Sequence, residues 1–172
     1  ESTKIYDKTG EVLLYDIHGE EKRTIIPWDR IPEAAKKATL ASEDADFYNH
    51  KGLDITGILR ALLKDIRDLD LSQGGSTITQ QLVKKTLLGD EKTLTRKLKE
   101  AFLSIEVEKR FTKDEILWMY LNQIPSGSNA YGIEAASKTC FGKTAAELTL
   151  NESAILASLI KAPSYYSPYG NH

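Results

Sequence analysis

The sequence predicts a mainly α-helical domain that begins with a small β-hairpin or sheet. Two observations predict this class. Apolar residues recur at helical spacing through most of the chain after Pro32, and Ser/Thr and Glu/Gln stand three residues apart at several helix starts. The first 30 residues instead contain short runs of β-branched and aromatic residues between turn signals. We therefore expect a β segment over residues 1–30 and a helical core over residues 31–172, in a single domain.

Length, charge and hydropathy narrow the function classes. The chain of 172 residues suits one catalytic domain. Its 23 Lys and Arg against 25 Asp and Glu leave a net charge of −2, so no excess positive field favours nucleic acid as a partner. No apolar run approaches the roughly 20 residues that span a bilayer. Because the chain opens at Glu1 without a signal-like segment, we expect it to be excised from a longer, membrane-anchored chain.

The β segment is predicted from three short runs. Lys4 to Tyr6 and Val12 to Tyr15 flank a turn signal at residues 7–10, and Thr24 to Ile26 forms a third candidate strand.

The helices are predicted from apolar periodicity and end signals. One runs from Pro32, which suits a first helical position, to about Ala45. Asp54 is placed to cap a helix whose apolar face runs from Ile55 to Leu69. Capping boxes predict three further helix starts, and the pairs are Thr77 with Gln80, Thr112 with Glu115, and Thr149 with Glu152. The first of these helices should run to Leu88 before Gly89, and the last should end before Pro163.

The predicted helix Leu94 to Phe111 carries a charged side. Arg96, Lys97 and Glu100 fall opposite the side that holds Leu94 and Leu98. A solvated face with an i,i+4 pair is the ordinary interpretation, at a few tenths of a kcal/mol per pair. Apolar Leu103 and Val107 share the side of Glu100, however, which favours the wall of a cleft.

Glu43 and Asp44 end an alanine-rich helix and are followed by Phe47, Tyr48 and His50. A carboxylate beside aromatic rings at a helix end can serve as a general base, whereas the residues alone favour a surface acid and a helix stop. Because no second ligand stands at metal spacing, His50 is better interpreted as a hydrogen-bonded structural histidine.

The loop Gly74 to Thr77 leads into a helix and could present backbone N–H groups and hydroxyls to an anion. It lacks the Gly-Lys-Ser/Thr ending of a Walker loop, and a simple capped turn is an equal alternative.

Taken in order, these segments resemble the motifs of the peptidoglycan glycosyltransferases, glycosyltransferase family 51. This family forms the first catalytic domain of bifunctional class A penicillin-binding proteins of the 1A type and also has monofunctional members. Four motifs carry the resemblance, and they read EDADFYNHKGLD at 43–54, GSTITQQLVK at 75–84, RKLKE at 96–100 and KDEILWMYLN at 113–122. YGIEAA at 131–136 and APS at 162–164 also match family positions.

The resemblance implies a lysozyme-like, two-lobed helical fold with a head and a jaw. It also implies that the enzyme polymerises lipid II into glycan strands, with inversion, from a donor chain on a polyprenyl diphosphate. By the same resemblance Glu43 is the base that takes the proton of the acceptor hydroxyl, and Glu100 is the second catalytic carboxylate.

The remaining site residues are implied to bind substrate. They are Asp44, Ser76, Thr77, Gln80, Gln81, Lys84, Arg96, Lys97 and Lys113. A divalent cation, Mg²⁺ or Mn²⁺, is expected to bind with the diphosphate and Glu100, and no organic cofactor is expected.

The implied partners are lipid II, the lipid-linked glycan chain and the membrane surface. The implied parent chain carries an N-terminal transmembrane anchor and a C-terminal transpeptidase domain, and its catalytic domain lies on the outer face of the bacterial cytoplasmic membrane. Two alternatives remain at this point. One is a glycan-cleaving enzyme of lysozyme-like fold, and the other is a non-catalytic helical module that docks on membranes or wall partners.

Overall fold

The structure is a computed structural model, and it describes residues 3–6, 13–17, 22–54, 75–89, 91, 93–126, 130–162 and 165. The six α-helices in these ranges are α1 (Glu33–Glu43), α2 (Ile78–Val83), α3 (Leu94–Arg110), α4 (Lys113–Gln123), α5 (Ile133–Phe141) and α6 (Leu150–Lys161). The predicted mainly α class is confirmed. The predicted helix from Ile55 to Leu69 lies outside the described residues.

The predicted N-terminal hairpin is present. Strands β1 (Thr3–Tyr6) and β2 (Leu13–Ile17) pair antiparallel, with Thr3 opposite Ile17. The predicted third strand was wrong in position, because β3 is Lys22–Arg23 and pairs in parallel with β4 (Ala130–Tyr131).

The side chain of Asn122 binds the backbone that follows β3. The N–H of Ile26 donates to Oδ1 of Asn122 at 2.9 Å, and Nδ2 of Asn122 donates to the carbonyl of Ile26 at 3.2 Å. The amide of Asn122 thus satisfies the backbone groups that a neighbouring strand would otherwise bind. Ile26 therefore binds a side-chain amide in place of a neighbouring strand, which the sequence pattern alone could not reveal.

The helix ends follow the capping signals. Thr77 accepts the N–H of Gln80 while the Gln80 side chain accepts the N–H of Thr77, so the capping box of α2 is complete. The boxes at Thr112 and Thr149 are complete as well. Beyond Val83, residues Lys84–Leu88 form a π-helical turn instead of the regular α-helix that was predicted.

The chain divides into two compact units. The first comprises residues 1–39 and 121–172, and the second comprises residues 40–120. The resemblance also implies two lobes, so the number of units agrees with the expected number of lobes. In the first unit, Gly132 at φ +81 lies so close to Asn122 that a Cβ would stand 2.4 Å from its carbonyl oxygen. Only glycine permits this approach, which carries the chain from β4 into α5.

The second unit is built around α2, α3 and the segment that follows α1. Phe47, Ile78, Ile116 and Leu117 are fully buried in its core. Gly52 has φ +89, and a Cβ there would lie 2.9 Å from the carbonyl oxygen of Ser104 in α3. The absence of a side chain at residue 52 thus lets residues 44–54 pass directly over α3.

Candidate active site

Helix α2 is the centre of a network of carboxylates in the second unit. Four consecutive residues at its start each donate a hydrogen bond to a different acidic side chain, and the pairs are Ile78 with Asp44, Thr79 with Glu108, Gln80 with Glu100, and Gln81 with Glu43. One short helix therefore fixes both carboxylates for which catalytic roles were predicted.

Glu43 is the last residue of α1, and its two carboxylate oxygens differ in environment. Nε2 of Gln81 donates to Oε2 at 2.7 Å. Oε1 is buried and has no hydrogen-bond partner among the described residues. A buried oxygen without a donor lacks the stabilisation that water or a partner would give its charge. Oε1 is consequently the atom of Glu43 that is available to accept a proton.

The hydroxyl of Tyr120 binds the other end of the Gln81 amide. It donates to Oε1 of Gln81 at 3.0 Å, while the same amide donates to Glu43. Burial, together with the nearby carboxylates of Glu43 and Asp44, raises the pKa of Tyr120 well above its ordinary value. The phenol therefore remains protonated and able to donate.

Asp44 is buried, and contacts within the protein occupy its carboxylate. Both oxygens lie 3.0 Å from Nε2 of His50, and Oδ2 also accepts the N–H of Ile78 at 3.0 Å. The structure thus places Asp44 at the start of α2 and confirms the interpretation of His50 as a hydrogen-bonded histidine. Nδ1 of His50 is buried without a partner among the described residues.

A second group, which we call the Glu100 cluster, comprises Glu100, its three donors Gln80, Arg96 and Lys97, and the neighbouring Ser76. Arg96 and Lys97 each approach the carboxylate to 2.5 Å, one at each oxygen. Lys97 also donates to Oγ of Ser76 at 2.8 Å. The Glu100 side chain is only 2% exposed, whereas that of Lys97 is 46% exposed.

The solvated-face interpretation of α3 is therefore wrong for Glu100. Two cations surround one carboxylate, so the cluster carries a formal charge of +1 and presents an exposed ammonium to solvent. A buried carboxylate with two cationic partners holds those partners in fixed positions. The arrangement suits the binding of an anionic group such as a phosphate.

Three other residues predicted to bind substrate, Thr77, Lys84 and Lys113, lie outside the Glu100 cluster. Thr77 caps α2, and its hydroxyl donates to the carbonyl of Gly52 at 2.7 Å, so its polar atoms serve the fold. Lys84 opens the π-helical turn and is half-buried. Lys113 pairs with Glu108 at 2.8 Å and stands 4.3 Å above the ring of Phe47, which places it outside the Glu100 cluster.

The described residues do not fit a resident metal ion. They contain no group of three or more His, Cys, Asp or Glu side chains with metal-binding geometry. The two oxygens of Glu100 already accept from Lys97 and Arg96, which a cation would have to displace.

Three participants were missed by sequence reasoning, and they are Thr79, Glu108 and Tyr120. Tyr120 stands within the fourth motif, so a search for a donor to the motif Gln residues would have found it. Thr79 and Glu108 stand 29 residues apart, and nothing in the sequence connects them.

A half-buried carboxylate and a cationic cluster in one unit suit the transfer of a group from an anionic donor. Comparison with known proteins gives the family. The profile of the transglycosylase family matches residues 10–172, and the chain belongs to this family.

Three relatives match nearly the whole of this chain and are themselves several times longer. It is 47% identical to penicillin-binding protein 1A of Aquifex aeolicus over 98% of its length, and 48% identical to penicillin-binding protein 1A of Escherichia coli over 96%. It is 46% identical to penicillin-binding protein 1A/1B of Bacillus subtilis over 99% of its length. The chain spans 23%, 19% and 18% of these relatives, or about a fifth of their length.

The buried contacts of Asp44 predict a stability effect. Asp44→Asn should lower the free energy of unfolding by about 1–3 kcal/mol, because a neutral amide cannot accept from both His50 and the N–H of Ile78 as well as a carboxylate does. Asp46→Asn is the matched control, since Asp46 is exposed and should change stability by less than about 0.5 kcal/mol. Urea denaturation of both variants measures the difference, and equal values would contradict the structural role.

Proposed function

We propose that this domain polymerises lipid II into peptidoglycan glycan strands. The donor is the growing strand on a polyprenyl diphosphate, and the acceptor is a sugar hydroxyl of lipid II. The observation that carries the proposal is Glu43, a carboxylate with one oxygen fixed by Gln81 and the other buried without a partner among the described residues. Membership of the transglycosylase family supports the same reaction.

In the proposed reaction, Glu43 is the general base. Its Oε1 takes the proton of the acceptor hydroxyl as the hydroxyl oxygen attacks the anomeric carbon of the donor. The bond between that carbon and the diphosphate oxygen breaks, and the diphosphate leaves with the electron pair. Attack opposite the leaving group inverts the configuration. A positioned general base contributes about 10²- to 10⁴-fold to such a reaction.

The Glu100 cluster would stabilise the leaving diphosphate. Arg96 and Lys97 are held by one buried carboxylate, so their charges need not reorganise when negative charge develops on the leaving group. Glu100 acts in this scheme by orienting the two cations. Ser76 accepts a hydrogen bond from the ammonium of Lys97 and would contact a phosphate oxygen beside it.

The roles of the remaining predicted residues follow from their contacts. Gln80 and Gln81 hold Glu100 and Glu43, and Thr77 holds α2, so we assign them to positioning. Lys84 and Lys113 remain proposed contacts to the substrate. Because the described residues do not fit a resident metal, we assign the positive charge to Arg96 and Lys97, and a divalent cation would enter only as part of the diphosphate substrate.

The cationic cluster also favours transfer over glycan cleavage. A glycosidase acting on a neutral sugar linkage has no diphosphate charge to stabilise, whereas Lys97 presents an exposed ammonium beside Arg96. We therefore favour glycosyl transfer over the lysozyme-like hydrolase.

Helix α3 supports association with a membrane surface. Leu94, Leu98 and Phe102 follow one another at i,i+4 spacing and are 86%, 74% and 65% exposed. Lys97 and Lys99 flank Leu98 and are exposed as well. An apolar stripe bordered by lysines suits the interface of an anionic bilayer. No described helix has the length and apolar character needed to cross a membrane.

For the whole protein, we propose a longer chain with an N-terminal membrane anchor and a C-terminal transpeptidase domain. The chain spans about a fifth of its relatives, which supports the presence of further domains. The catalytic domain, residues 1–172, would then lie on the outer face of the bacterial cytoplasmic membrane, where lipid-linked precursors are polymerised.

The first functional prediction concerns the base. Glu43→Gln should lower kcat for lipid II polymerisation by about 10²- to 10⁴-fold, because an amide cannot take the proton. Substrate binding and fold should be retained. Glu106→Gln removes a half-buried carboxylate of α3 that pairs with Lys109, and it serves as the control. Gel separation of labelled glycan products measures the rates, and near-normal polymerisation by a folded Glu43→Gln protein would exclude Glu43 as the base.

The second prediction separates donor from acceptor. Lys97→Ala should lower kcat by about 10²- to 10³-fold and weaken binding of a non-reactive diphosphate donor analogue, because it removes a preorganised charge beside the leaving group. Acceptor affinity should change little. Lys109→Ala, on the same helix and paired with Glu106, is the control. Initial rates are measured with the donor and acceptor concentrations varied separately. A defect confined to acceptor use would refute the assignment of Lys97 to the donor diphosphate.

The third prediction concerns the exposed stripe of α3. Replacing Leu94, Leu98 and Phe102 by Ser should reduce partitioning of the domain onto vesicles of anionic phospholipid by more than about 10-fold, since each buried large apolar side chain contributes about 1.5–3 kcal/mol. Leu150→Ser with Ile155→Ser, two exposed apolar residues of α6, forms the control. Sedimentation with vesicles measures the partitioning. Unchanged binding of the triple variant would remove α3 from the membrane contact.

A further inference from the structure

Tyr120 lies at the end of a chain of side chains that leads to the catalytic carboxylate. Its hydroxyl donates to Oε1 of Gln81 at 3.0 Å, and Nε2 of Gln81 donates to Oε2 of Glu43 at 2.7 Å. Tyr120 is fully buried, so water does not compete for its hydroxyl. The mechanism above uses Glu43 and Gln81 but gives Tyr120 no role.

The geometry requires a particular orientation of the Gln81 amide. A carboxylate can only accept, so the amide must present its NH₂ group to Glu43 and its oxygen to the opposite side. A flip of the amide would bring Oε1 against Oε2 of Glu43, where two acceptors repel. On the far side, the oxygen meets a donor in the hydroxyl of Tyr120. The carboxylate and the phenol thus together stabilise the orientation in which the amide binds Glu43.

We propose that Tyr120 is a positioning residue for the glycosyl transfer reaction, because its hydroxyl fixes the Gln81 amide that holds Oε2 of Glu43 and leaves Oε1 free for the acceptor proton. This inference rests on the proposed function. Tyr120 touches neither the substrate nor the reacting atoms in this scheme. Its effect reaches the reaction only through the direction in which the Gln81 amide points.

Tyrosine suits this position for two physical reasons. Its ring fills the core beside α2, and its hydroxyl is a donor that stays protonated because burial and two carboxylates raise its pKa. A phenylalanine would fill the same space but offer Gln81 no donor. The amide would then lose one of its two hydrogen bonds, and Glu43 would be held by a side chain with greater freedom to move.

The test uses the full-length protein and lipid II. Tyr120→Phe should lower kcat about 10- to 100-fold, the range that follows from a small misplacement of a catalytic group, and should change KM by less than about 2-fold. Tyr48→Phe is the matched control, because it removes another tyrosine hydroxyl that donates to a side chain, Asp114, at 2.8 Å in the same unit. That variant should keep wild-type kcat.

A double variant shows whether Tyr120 acts through Gln81. In a Gln81→Met background, Tyr120→Phe should cause no further loss of kcat, because the amide that it orients is gone. A kcat for Tyr120→Phe within about 2-fold of wild type would overturn the proposal. An equal loss in the wild-type and Gln81→Met backgrounds would overturn it as well, since the tyrosine would then act by another route.

One readout does not depend on activity. The ¹⁵N side-chain amide signals of Gln81 should shift in Tyr120→Phe and stay in place in Tyr48→Phe. Unchanged Gln81 signals in Tyr120→Phe would overturn the contact itself. A wild-type protein that fails to extend lipid II would instead overturn the proposed function, and the Gln81 signals would still decide whether Tyr120 orients the amide.

Discussion

The second unit depends on the hydrogen bonds that four consecutive residues of α2 donate to four carboxylates. A buried carboxylate is costly unless donors satisfy it, and Asp44, Glu100 and Glu108 are all largely buried here. Helix α2 supplies donors to all three and to Glu43, from one backbone N–H and three side chains. The helix is only six residues long, and its capping box fixes its start. Displacing its start would disturb all four acids together, which ties the folding of this unit to the geometry of its site.

The same network explains how two carboxylates acquire different chemistry. Glu100 is paired with Arg96 and Lys97, so its charge is neutralised and its carboxylate holds the two cations in place. Glu43 receives a neutral amide on one oxygen and no donor from the described residues on the other, so it retains the capacity to take a proton. Adjacent residues of α2, Gln80 and Gln81, make these two contacts. The proposed base and the proposed anion-binding cluster are thereby held by neighbouring residues of one short helix.

Helix α3 reverses the usual relation between polarity and burial. Its carboxylate at Glu100 and hydroxyl at Ser104 are buried, while Leu94, Leu98 and Phe102 are largely exposed. A soluble helix normally buries its apolar side. The reversal is stable because Arg96, Lys97 and Gln80 satisfy Glu100, and because the hydroxyl of Ser104 donates to the carbonyl of Glu100. A polar inner side for a charged substrate and an apolar outer side for a lipid surface are what the proposed reaction on lipid-linked sugars requires.

The sequence by itself determined the helical class, the capping boxes at Thr77, Thr112 and Thr149, the family, and the candidate acids Glu43 and Glu100. These features depend on local periodicity, on residue pairs three positions apart, or on ordered motifs. All of these can be recognised from the order of residues alone. The tertiary structure alone decided that Asp44 binds the start of α2, that the Thr77 hydroxyl donates to Gly52, that Lys113 pairs with Glu108, and that Tyr120 donates to Gln81. It also decided that Asn122 replaces a strand neighbour at Ile26. These contacts join residues between 5 and 96 positions apart, and their geometry follows from packing around α2 and α4, which no local pattern encodes.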